Sequence, residues 1–93
     1  MDRMSDIGDD FKALREYQQE RKHGNYCMNM DILFESEFNF PRRFEVNAEN
    51  RQVLFREKRK PKVNFYPSTN KWVVGVEVFH GDAAKFLEWY RVQ

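Results

Sequence analysis

The stretch Phe65-Tyr66-Pro67-Ser68-Thr69-Asn70-Lys71-Trp72 decides how the second half of this chain folds. A β-branched and aromatic run, Lys62 to Tyr66, leads into it, and a Val-rich run, Trp72-Val73-Val74-Gly75-Val76-Glu77-Val78, leads out. Between them Pro67-Ser68-Thr69-Asn70 carries turn chemistry, so the stretch predicts a β-hairpin.

Working back toward the N-terminus, Phe44 and Val46 alternate with Glu45 and Asn47, the two-residue period of a half-buried strand. Asn47-Ala48-Glu49-Asn50 reads as a turn, Gln52 to Glu57 as a second strand, and Lys58-Arg59-Lys60-Pro61 as a basic connection into the hairpin. In the last strand Trp72, Val74, Val76 and Val78 are expected on one face, with Gly75 marking a bulge or a close approach. Before the strands the period is helical. A first helix is expected from about Asp6 to Lys22, capped by Ser5 and stopped by Gly24, with Ile7, Phe11, Leu14 and Tyr17 on one stripe. A second is expected from after Asn29 through Phe38, ended by Pro41. After the strands, Asp82 caps a terminal helix whose stripe is Ala83, Phe86, Leu87 and Tyr90. The order helix, helix, strands, helix predicts an α+β fold: an antiparallel meander of three to four strands over 43–78. An N-terminal helical segment and the helix of 82–92 pack on one of its faces. The whole of 1–93 reads as one domain, with 1–24 as a semi-independent arm.

Ninety-three residues bury only a modest core, so a partner, a second copy included, would add to stability. Nine Phe, four Tyr and two Trp let few residues fill that core. A third of the residues are charged and no apolar run is long enough to span a bilayer, which predicts no membrane association. The single Cys27 fits a reducing cytoplasm and, with only His23 and His80 to join it, argues against a structural metal. No paired carboxylates, phosphate-cradling glycines or nucleophile elbow accompany these three residues. No catalytic residue and no cofactor are therefore expected.

Charge is unevenly placed. Residues 1–10 carry Asp2, Asp6, Asp9 and Asp10 against Arg3, a balance of −3. Residues 42–71 carry nine cations against Glu45, Glu49 and Glu57, a balance of +6 that the net charge of +1 conceals. A basic loop beside an aromatic sheet is the electrostatic footprint of a nucleic-acid binder. On that basis Arg42, Arg43, Arg56, Lys58, Arg59, Lys60, Lys62 and Lys71 are candidates for phosphate contact, with Tyr66 and Trp72 as stacking platforms. The competing expectation is a solvated loop, and rings committed to the core with Trp72 packing across the strand pair.

At the hairpin the chain resembles small phage and prophage proteins that carry a Phe-Tyr-Pro-x-Thr-Gly-Lys-Trp type of hairpin followed by a short helix. The matching residues are Phe65, Tyr66, Pro67, Thr69, Lys71 and Trp72, then Phe86, Leu87 and Trp89, and the opening Ile7-Gly8-Asp9-Asp10-Phe11-Lys12 is also similar. Asn70 stands where that group often has Gly, and both tolerate positive φ. The pattern of a Tyr-bearing strand, a turn, a Val-rich strand and a helix is also similar to TBP-like sheet domains, including those of some bacterial ribonucleases H. Those domains hold nucleic acid on an open sheet face. The resemblance implies a phage accessory protein acting in the bacterial host cytoplasm. Two functions follow as expectations: a non-enzymatic protein binding the nucleic-acid phosphate backbone, or an anti-defence inhibitor or adaptor that binds a host protein.

Overall fold

The computed structural model describes the backbone from Arg3 to Gln93 and side chains from Gln18 onward. Helix α1 (Arg3–Glu35) leads through a 3-10 turn (Glu37–Asn39) into five strands. These are β1 (Phe44–Asn47), β2 (Gln52–Phe55), β3 (Val63–Tyr66), β4 (Lys71–Val74) and β5 (Glu77–His80), and helix α2 (Ala83–Arg91) follows. The strands lie in chain order in one open sheet, each antiparallel to its neighbour. The fold is therefore α+β with an N-terminal and a C-terminal helix, as the sequence predicts, but the sheet has five strands rather than three or four.

The fifth strand arises at Gly75. This residue has φ +60 at the first position of a two-residue loop between Val74 and Glu77, the geometry that a type II′ hairpin asks of glycine. The turn also reverses the expected facing. Val74 pairs with Glu77, Val73 with Val78 and Trp72 with Phe79, so it is Phe79, not Val78, that shares the core face with Trp72. Val76 sits in the turn and is exposed.

The helical prediction is corrected in a similar way. α1 is continuous through Gly24, and Ser5 lies within it rather than capping it. A glycine in a helix interior costs about 1 kcal/mol relative to Ala. Beyond it, however, Asn25, Tyr26, Asn29, Met30, Ile32 and Leu33 all engage the body of the protein, and that packing outweighs the local preference for a stop. The predicted stripe Ile7, Phe11, Leu14 and Tyr17 lies outside the described side chains. The expected second helix is the C-terminal part of α1, which ends at Glu35, and Phe38 falls in the 3-10 turn instead. The Ser36 hydroxyl donates to Leu33 O at 2.6 Å and accepts from Phe38 N–H, starting the 3-10 turn.

One sheet face, the last turns of α1 and all of α2 enclose the core. Phe44, Val53, Phe55, Val63, Phe65 and Trp72 come from strands, Met30 and Leu33 from α1, and Ala83, Phe86, Leu87 and Tyr90 from α2. Phe86 is the hub: its ring lies 4.9 Å from both Phe55 and Phe65 and 5.4 Å from Trp72. Asn29 is the polar counterpart and is fully buried. Its carboxamide donates to Pro67 O (2.7 Å) and Asn70 Oδ1 (2.6 Å) and accepts from Ala83 N–H (3.0 Å), joining α1, the β3–β4 turn and the start of α2. Asp82 caps α2 as expected, its carboxylate accepting from Lys85 N–H.

Two substitutions test this account. Asn29→Ala removes the partner of three groups at once, two of them in buried hydrogen bonds, and should cost about 2–4 kcal/mol in urea unfolding with little change in m. Gly24→Ala should stabilise the chain by about 1 kcal/mol, because its Cβ would meet nothing within 4 Å. A destabilised Gly24→Ala would mean that α1 is interrupted at that residue.

Candidate nucleic-acid interface

The sheet face opposite the helices is uncovered among the described residues. Pairing sets Glu45, Leu54, Asn64, Val73 and Val78 in one row across the five strands. The next row holds Asn47, Gln52, Tyr66, Lys71 and His80, with Gln52 Nε2 donating to the Tyr66 hydroxyl at 3.0 Å. None of these residues is buried.

The meander brings most of the predicted cations to one end of this face. The entry to β1 supplies Arg42 and Arg43, and the β2–β3 connection supplies Arg56, Lys58, Arg59 and Lys62. Between the two runs lies a shallow cleft of about 330 Å³ lined by Arg42, Arg43, Arg56 and Lys58, with Glu45 and Glu57 as its acidic members. The arginines are positioned by the fold. Arg56 donates to the carbonyls of Phe55 and Val63 (both 2.9 Å) and to Asn64 Oδ1 (2.6 Å), which fixes the guanidinium across the end of the β2–β3 pair. Two of its five N–H groups remain for a ligand. Arg42 lies over the rings of Phe34 and Phe44, and Arg43 over Phe38 with Glu57 at 3.9 Å. Lys58, Arg59 and Lys62 are exposed and make no hydrogen bond or ion pair among the described residues.

Four of the predicted contacts lie elsewhere. Lys60 turns inward: its ammonium donates to Tyr90 O at 2.7 Å and lies 4.6 Å from the Tyr90 ring centroid. A cation placed on the last carbonyls of α2 is dipole chemistry, which commits Lys60 to the fold. Trp72 is only 4% exposed, wedged against Phe79, Phe86 and Trp89, with no acceptor for its indole N–H among the described residues. It is on the core face and is withdrawn as a stacking platform, because Phe65–Trp72 pairing places it on the side opposite Tyr66. Tyr66 does lie on the open face, half-buried, with Lys71 Nζ 5.2 Å from its ring centroid. Both stand at the hairpin end of the strands, about 13 Å along β3 from Lys62 at ordinary strand rise.

Arg51 and Lys22 join Tyr66 at that second end, where sequence reasoning does not place them. They line a cleft of about 340 Å³ with Ser68 and Thr69. Arg51 has φ 51, lies over Tyr26 and reaches the Ser68 hydroxyl. By sequence Lys22 is a helix-end cation, and only the continuation of α1 past Gly24 sets it beside the sheet. The three acid–base candidates are not gathered in one place. His23 Nε2 and Cys27 Sγ approach to 3.6 Å on the exposed side of α1, while His80 is on the open face. No helix among the described residues is long and apolar enough to cross a membrane.

Tyr90 also donates its hydroxyl to Glu57 at 2.7 Å. Burial first, then that carboxylate, pushes the phenol well above its ordinary range. A folded-state pKa raised above the unfolded value of about 10 stabilises fully below that pH and is lost above it. Tyr90→Phe should therefore cost about 1 kcal/mol at pH 8, and the gap to wild type should narrow by about 1 kcal/mol by pH 11. Urea midpoints across that range measure it, and a constant gap would remove the linkage.

Compared with known proteins, the chain matches no family model, no curated protein sequence and no solved structure.

Proposed function

We propose that this chain is a non-enzymatic nucleic-acid-binding protein. In this reading the cationic end holds the phosphate backbone and the open sheet face receives the bases. The observation that carries it is the gathering of Arg42, Arg43, Arg56, Lys58, Arg59 and Lys62 at one end of an uncovered sheet face. Exposed guanidinium and ammonium groups on one rim release counterions when they meet a polyanion, and that sequence-independent gain needs no deep pocket.

Tyr66 is the stacking group that remains. Its ring is shared with Lys71, a cation–π contact worth about 0.5–1 kcal/mol at an exposed site. A stacked base is worth about 1–3 kcal/mol, so a base displaces the ammonium, which then swings to the adjoining phosphate. The resemblance of the hairpin to phage and prophage proteins fits a small accessory role of this kind in a bacterial host. An anti-defence adaptor that binds a host protein is the reading to which a failure of the test would turn.

The test is fluorescence anisotropy of labelled single-stranded DNA, duplex DNA and RNA against the full chain across a salt series. Binding is expected to weaken steeply with salt. Arg59→Ala/Lys62→Ala should flatten the log–log salt slope by about 1.4 on single strands, roughly 0.7 for each phosphate that the variant no longer neutralises. Tyr66→Ala should cost about 1–3 kcal/mol on single strands and little on duplex. Lys60→Ala should lower stability while leaving the salt slope unchanged, which separates a folding role from a binding one. No binding at low salt, or a slope untouched by the Arg59/Lys62 pair, would overturn the assignment.

A further inference from the structure

We propose that β5 is a dimer edge, and that two copies of this chain pair β5 with β5 antiparallel about a two-fold axis through Val78. The inference is independent of nucleic-acid binding.

Peptide parity carries it. The two-residue loop closes on the Val74–Glu77 pair, and four residues further on Gly81 N–H donates to Asn70 O at 2.8 Å. Alternate pairs in an antiparallel ladder exchange hydrogen bonds, so Glu77, Phe79 and Gly81 turn their peptide groups toward β4. Val78 and His80 then turn theirs outward, where β5 pairs with no further strand among the described residues because it ends the sheet.

Side-chain parity agrees with that. A two-fold axis normal to the sheet keeps both open faces on one side, so only residues of the same face can stand opposite one another. Val78 opposite Val78 of the second copy meets this condition and is also a hydrogen-bonded pair. Val76 then faces His80 of the second copy, and Glu77 faces Phe79. Val76 is 98% exposed and Val78 52%, so pairing covers the apolar side chains that now stand in water.

The usual guards against edge pairing are missing from β5. It has no Pro, no Lys and no bulge, and its one formal charge, Glu77, would meet a ring rather than a like charge directly opposite. The other edge contrasts with it. β1 carries Glu45 on its open face and has Arg42 and Arg43 at its mouth, charges that guard a strand against self-pairing. A second copy is therefore the occupant that β5 fits. The product is a ten-stranded sheet with Tyr66 and Lys71 of both copies on one continuous face.

The experiment is sedimentation velocity of the full chain over micromolar concentrations, with circular dichroism of every variant. Wild type should dimerise. Val78→Lys, which sets two ammonium groups on the axis, should raise the dissociation constant by at least about tenfold with a native spectrum. Glu45→Lys should leave it unchanged. In a Cys27→Ser background, Val78→Cys should cross-link on mild oxidation, because a hydrogen-bonded pair sets the Cα atoms about 5.5 Å apart, within disulfide reach. Val76→Cys should not, since the two residues are offset along the ladder. A monomeric wild type, a folded Val78→Lys that still dimerises, or a dimer that Val78→Cys fails to cross-link would each overturn the proposal.

Discussion

The buried carboxamide of Asn29 is where three separate parts of the chain are obliged to agree. Its two donors meet Pro67 O and Asn70 Oδ1, and its acceptor takes Ala83 N–H. Neither the β3–β4 turn nor the first turn of α2 can satisfy these groups from its own backbone. The Ala83 N–H is one of the donors a helix start always leaves open, and Asp82 uses its carboxylate on Lys85 instead. A buried polar group without a partner is costly, so these bonds act chiefly by excluding alternatives. A shift of α1 along its axis would leave all three groups unpaired. The register of α1 against the sheet is thereby set, and so is the placement of Lys22 beside Arg51 and Tyr66.

The legible parts of the fold are those with a local cause. Alternation in Phe44–Asn47, the turn residues of 67–70 and the Asp82 cap each act within a few residues, and each is found where expected. Asn70 at φ 52 adopts the conformation its type tolerates. What escapes a sequence reading are the places where two signals compete. Gly24 is a stop signal locally, but Asn25, Asn29 and Leu33 beyond it are anchored to residues more than thirty positions away or buried in the core. Gly75 sits in an unbroken run of valines at alternate positions, and nothing in that run separates a bulge from a hairpin. The difference matters, because a two-residue turn exchanges which alternate residues face the core. It sends Phe79 inward and leaves Val76 and Val78 in solvent.

The candidate site is legible in composition and only partly in geometry. A run of cations in a connection between neighbouring strands must emerge at one end of the sheet, and adding Arg42 and Arg43 to that end needs only β1 to be antiparallel to β2. Sequence does not separate Lys60 from its neighbours Lys58 and Arg59. That distinction depends on where α2 ends, and the last carbonyls of α2 fall beside Lys60 alone. The same loop sends Glu57 to the Tyr90 hydroxyl. The basic connection therefore has two roles, with Glu57 and Lys60 fastening it to α2 and the cations between and around them held outward. Fastened at two points, it can present charge without the ordering cost that a free loop would meet on binding a polyanion.

Trp72 and Tyr66 show how a small domain divides its aromatic residues. They lie on adjacent strands one pairing step apart, yet face opposite sides of the sheet. The core takes the larger ring even though its indole N–H is left without an acceptor among the described residues. Burying an indole removes up to about 250 Å² from water, roughly 6 kcal/mol at about 25 cal/mol per Å², which exceeds the roughly 1–3 kcal/mol cost of one unsatisfied donor. A phenol on the open face has the opposite balance. Its hydroxyl accepts from Gln52 and its ring lies beneath the Lys71 ammonium, so on the proposed reading a flat ligand would displace only a weak cation–π contact. With one face committed to packing, the proposed recognition chemistry uses the other face and the sheet edges. Of those edges β1 is guarded by charge and β5 is not, and the asymmetry follows from the same turn at Gly75 that ended the run of valines.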